Sequence, residues 1–177
     1  MTVRRKHIRD LVNRLLEQHG VVGPPVPVEK IVDALGLELR RAPAEDDLSG
    51  FLYRDRHKNT AAIGVNSTHQ ANRQRFTIGH ELGHFLLHDY EGIHVDRRFE
   101  VKLRINGSSE EGDDQEKEAS LFAAELLMPE SILKADLTKI EQLDLEDEAS
   151  LVRLAGKYAV SVQALSFRVA NLGLVTI

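Results

Sequence analysis

Residues 77–88 read TIGHELGHFLLH, an apolar stretch with helical character that carries three histidines and a glutamate. Imidazole and carboxylate groups are costly to bury without partners, so something must hold them there. His80 and His84 are four residues apart. On a helix their side chains sit about 40° apart around the axis and one turn apart along it, which lets both rings meet one ion. Glu81 stands beside the first of them. This HExxH spacing suits a zinc ion taken by two imidazole nitrogens, with the glutamate placed to accept a proton from a water that the ion acidifies. Gly79 and Gly83 each cost a helix about 1 kcal/mol relative to alanine. Their shared side is therefore expected to admit the close approach of a strand or a substrate.

His88 continues the same spacing but lies about 12 Å along the axis from His80, too far for three rings of one unbroken helix to share an ion. It is expected at the helix end, where a protonated imidazole suits the dipole. Leu87 and Tyr90 stand where an extended three-histidine zinc motif requires glycine and histidine, so a third ligand must come from elsewhere. The stretch EKEASLFAAELLMP, residues 116–129, offers one. Ala119, Phe122, Ala123, Leu126 and Leu127 form the buried stripe of a second helix that Pro129 stops, and Glu116 and Glu118 lie at the edge of that stripe.

Composition narrows the classes. A chain of 177 residues with 42% hydrophobic content can bury a real core. Its 23 Lys and Arg against 28 Asp and Glu give a net charge of -5, which disfavours nucleic acid or anionic lipid as a default partner. The absence of cysteine excludes disulfides and thiolate ligands and suits a reducing compartment. The first twenty residues hold no continuous apolar segment of signal-peptide or membrane-spanning length, so the expected location is cytoplasmic, with no membrane partner.

Along the chain, Val3, Ile8, Leu11, Val12, Leu15 and Leu16 predict a first helix ending at Gly20, with Arg4, Arg5, Lys6 and Arg9 on a solvated face. Pro27 and Gly36 bracket a short second helix. Residues 37–41, 48–55 and 60–66 predict three strands of a small antiparallel or mixed sheet, and the last of them, just before the histidine helix expected over residues 68–88, is expected to pair with an extended substrate. Tyr53, His57, Tyr90 and His94 are all candidates to stabilise an oxyanion, and no one of them is singled out. The acidic segment NGSSEEGDDQEKE, residues 106–118, reads as a solvated loop. After Pro129, Leu151, Leu154, Ala155, Tyr158, Val160, Val162 and Leu165 fit two short helices joined by a tight turn, similar to a helix-turn-helix. The second of these, residues 161–171, carries only Arg168 as a cation, which argues against direct DNA binding.

TIGHELGHFLLH followed about thirty residues later by EKEASLFAAELLMP resembles the ImmA/IrrE family of metallopeptidases, and SGFLYRD and AAIGVN look like that family's strand segments. The resemblance covers roughly residues 25–135. It implies an α+β fold: a gluzincin-like peptidase core over residues 1–135, with a small three-stranded antiparallel or mixed sheet packed on helices, and a helix-turn-helix-like appendage over residues 136–177. It also implies zinc as cofactor, with manganese or iron able to take the same ligands. His80 and His84 become ligands, Glu81 the catalytic base and Glu118, directly before alanine in the ExEAxxFA pattern, the third ligand, with Glu116 in reserve. The implied activity is endopeptidase cleavage of a helix-turn-helix transcriptional repressor, which releases its genes. The competing classes are a DNA-binding regulator with a structural metal site and an inactive peptidase-like module that sequesters its partner. Neither the repressor's identity nor the oligomeric state is written in the sequence.

Overall fold

The computed structural model describes residues 3–97, 110–138 and 148–174. The first helix, α1 (Arg5–Gln18), presents Ile8, Val12, Leu15 and Leu16 to the core, and Gly20 follows it with φ +62°, the left-handed exit expected there. Pro27 caps α2 (Val28–Ala34). Strands β1 (Glu38–Ala42), β2 (Leu48–Asp55) and β3 (Thr60–Asn66) then lead into α3 (Ala71–Leu87), the histidine helix. It is shorter at its start than the expected span, because Asn66 and Thr68 form a hydrogen-bonded turn first.

The fold class is α+β, but the sheet has four strands where three were expected. The addition is β4 (Gly92–Arg97), and the order is β1-β3-β2-β4. β1 runs parallel to β3, while β2 is antiparallel to both β3 and β4. This order overturns the expected docking of substrate on residues 61–66: β3 is paired along both edges, so it has no free backbone groups to offer. The space at Gly64 is likewise taken, since a Cβ there would sit 2.0 Å from the Phe51 ring of the facing strand. Among the described residues β4 is an edge strand.

The helix α4 (Glu110–Leu127) packs along α3, burying Ala119, Phe122, Ala123, Leu126 and Leu127 as the stripe predicts. The acidic run is therefore helical from Glu110 onward rather than a loop, and residues 106–109 lie outside the described residues. Acidic side chains at a helix start are favoured by the dipole. After Pro129 come α5 (Glu130–Thr138), α6 (Glu148–Tyr158) and α7 (Val162–Asn171), with Ser161 capping α7 by accepting a hydrogen bond from the Ala164 amide at 3.1 Å. Apolar residues from Ile8 to Val169 join one core cluster. No helix among the described residues is long and apolar enough to cross a membrane.

Candidate metal centre

The centre is built where α3 and α4 touch. A Cβ at Gly83 would lie 3.0 Å from the Ala119 Cα, and one at Gly79 would lie 3.3 Å from the Ala123 Cα. The two glycines thus admit neither strand nor substrate; they admit the backbone of α4. That contact brings the first turns of α4 alongside the histidines.

His80 Nε2 and His84 Nε2 lie 2.9 Å apart. Glu116 completes the cluster, with Oε2 at 3.4 Å from His80 Nε2 and Oε1 at 3.3 Å from His84 Nε2. These three residues can hold one metal ion. Glu118, the expected third ligand, is turned away: it pairs with Arg4 at 2.6 Å and approaches only His88, at 3.9 Å. Positions 116 and 118 are about 200° apart around a helix, so one of them faces α3 and the other cannot. Glu116, the residue in reserve, takes the place.

The donor set suits a divalent cation. Zinc with bonds of about 2.0–2.1 Å to tetrahedral ligands spaces its donors about 3.3–3.4 Å apart, close to both histidine–carboxylate distances. Burial lowers the proton affinity of His80 and pushes His84 down to about 4, which leaves ring lone pairs available. Burial pushes the Glu116 carboxyl upward, but the facing rings of His80, His84 and His94 outweigh it and hold the group well below the usual carboxylate range. Ser120 Oγ, 3.3 Å from His80 Nδ1, supports the ring from behind, while His84 Nδ1 is buried with no protein partner.

Glu81 is fully buried, and neither of its oxygens has a hydrogen-bond partner. Burial, then the nearby charges of Asp96 and Glu116, raise its proton affinity well above that of an ordinary carboxylate. A buried, unsatisfied carboxyl next to a cluster of metal-type donors adds nothing to packing that an apolar side chain would not supply better.

The four oxyanion candidates separate. Tyr53 donates to Asp55 at 3.2 Å, and His57 is exposed in the turn after β2. His94 and Tyr90 reach the centre: His94 Nε2 lies 3.3 Å from Glu116 Oε1, and the Tyr90 ring stacks on His94 with centroids 4.8 Å apart. The Tyr90 hydroxyl donates to Gln115 Oε1 at 2.6 Å, beside Glu116. His88 caps α3, as expected. Burial lowers its proton affinity, and its Nε2 donates to the Gln115 carbonyl at 3.2 Å.

The sequence profile of the peptidase family described as IrrE N-terminal-like domain matches residues 32–170, more than three quarters of the chain. The chain belongs to the ImmA/IrrE family. Within that family it is similar to metallopeptidase ImmA of Bacillus subtilis (strain 168), with 32% identity over 102 residues, 58% of this chain and 54% of the relative. The chain thus spans about half the length of that ImmA protein. Membership in a metallopeptidase family implies a metal ion, and the His80, His84 and Glu116 cluster is where this ImmA/IrrE chain can hold it.

Proposed function

We propose that the chain is a zinc-dependent endopeptidase of the gluzincin type that cuts a helix-turn-helix transcriptional repressor in the cytoplasm and so releases its genes. One observation carries this reading: three donors from two helices converge, while Glu81, adjacent in sequence to His80, is buried with both oxygens unpartnered. A purely structural site has no need of a base between its ligands.

When bound, zinc supplies Lewis acidity, polarising a peptide carbonyl and making water a stronger acid; manganese or iron fit the same oxygen and nitrogen donors. The protein's own groups do the rest. His80 and His84 offer neutral ring nitrogens, and Glu116 offers negative charge. Glu81, whose proton affinity is raised, takes a proton at its carboxylate and returns it to the leaving amine. His94, whose Nε2 faces Glu116 Oε1 at 3.3 Å, and Tyr90 stand on the β4 side of the centre. An extended substrate added to the outer edge of β4 would lie beside them, and this edge replaces β3 as the docking strand.

The helix-turn-helix-like pair α6–α7 fits packing or substrate docking better than DNA binding. Arg168, the one cation of α7, is buried against Glu125 at 2.5 Å and the Met128 carbonyl at 3.1 Å, so it offers nothing to phosphate. The deciding experiment incubates the protein with helix-turn-helix repressors encoded near its gene, with and without chelator, and reads fragments by mass. Glu81→Gln is expected to keep fold and metal and to lose cleavage by about 10² to 10⁴-fold. Undiminished cutting by that variant, or cutting that ignores the chelator, would overturn the reading.

A further inference from the structure

Arg4 precedes α1 and lies outside the family-matched residues 32–170. Its guanidinium grips Glu118 through Nε, at 2.9 Å from Oε1 and 3.2 Å from Oε2, and through Nη2, at 2.6 Å from Oε2. The Arg4 backbone amide donates to Glu118 Oε1 at 2.8 Å. The same Nη2 donates to the Leu87 carbonyl at 3.3 Å. Leu87 ends the helix of His80 and His84, and Glu118 lies two residues beyond Glu116 on the other helix.

We propose that Arg4 is a positioning residue for the metal ligands: one guanidinium, supplied from outside the matched domain, ties the end of the histidine helix to the carboxylate helix at the level of the centre. The inference rests on His80, His84 and Glu116 being the ligand set. The glycine–alanine contacts fix the separation of α3 and α4 at Gly79–Ala123 and Gly83–Ala119. Glu116 lies beyond the second of these toward the start of α4, so its turn extends past the tight contact. Arg4 bridges the two helices there, holding Glu118 of α4 and the Leu87 carbonyl of α3. Glu118 has a side chain only 7% exposed, and without its guanidinium a carboxylate in that position would have to swing toward water. Such a swing twists the turn that carries Glu116.

The test uses the full chain and reads zinc affinity by chelator competition, the visible spectrum of the cobalt-loaded protein, and thermal melting of the metal-free protein. Arg4→Met and Glu118→Gln are each expected to weaken zinc binding about 10 to 100-fold and to alter the cobalt spectrum, a loss larger than any accompanying fall in metal-free melting accounts for. Arg4→Lys is expected to recover part of the affinity, because the charge returns but the fork does not. The proposal is overturned if Arg4→Met and Glu118→Gln bind zinc like the parent while Glu116→Gln has lost it, or if their affinity falls only in step with metal-free stability. Undiminished binding by Glu116→Gln would instead sink the ligand assignment beneath it.

Discussion

Asn66 shows how much one side chain can organise. It ends β3 at 2% exposure, and its amide donates to the carbonyls of Ala44, Glu45 and Leu48 while its oxygen accepts from the Ala44 and Thr68 amides and the Thr68 hydroxyl. It thereby fastens the chain entering β2 to the turn that launches α3. Asn66→Ala leaves several buried groups unpaired and is expected to cost at least about 2 kcal/mol in denaturant unfolding. Asn66→Asp is expected to cost more, despite its closer shape, because a carboxylate cannot donate to three carbonyls. Equal or milder loss for the aspartate would show that shape, not donation, matters there. The same scale explains the correction from Glu118 to Glu116. The pair of carboxylates was legible in the sequence, as were His80, Glu81 and His84, but the choice depends on how α4 is rotated against α3, and that is set by contacts at Gly79 and Gly83 that no local pattern records.

At the scale of elements, β2 and β3 matched their expected spans, since period-two patterning and turn residues announce themselves locally. β4 escaped notice because its alternation is inverted: Ile93 and Val95 face outward at 67% and 46% exposure, while Asp96 is buried and His94 turns toward the centre. A strand that hides its polar residues reads as a loop until the polar cluster it serves is visible. The acidic start of α4 misled for a related reason, because charge that suits a helix dipole also resembles a disordered linker. Packing of β2 on α3 is equally tight. A Cβ at Gly50 would fall 2.5 Å from Thr77 Cγ2 and 2.7 Å from the Gly64 carbonyl oxygen. Gly50→Ala is therefore expected to lower stability by about 1–3 kcal/mol, measured by chemical unfolding, since a backbone atom cannot step aside. A neutral result would mean that the sheet slides on the helix.

Across the whole molecule, the C-terminal helices are tied to α4 by charge as well as by apolar contact. Arg168 of α7 and Glu125 of α4 form an ion pair with both side chains under 5% exposed, and Glu125 Oε1 also accepts from the Glu130 amide at 3.1 Å. Arg168→Met strands a buried carboxylate and is expected to cost about 3–5 kcal/mol, whereas the double change with Glu125→Met is expected to regain much of that loss. Calorimetric melting of the two variants checks the ordering, and a double variant no better than the single would show that the pair is not the link. The sequence offered Arg168 as the lone cation of its helix; its partner lies 43 positions away, beyond any periodicity.

The glycines of α3 and the alanines of α4 join the two helices by direct packing, with no ligand bond in the contact. A receptacle assembled by packing is expected to keep its shape when its guest is removed, unlike small zinc modules that collapse when stripped. On the proposed function, ion supply would then act as a throttle on how many copies are competent, while the number of intact copies stays constant.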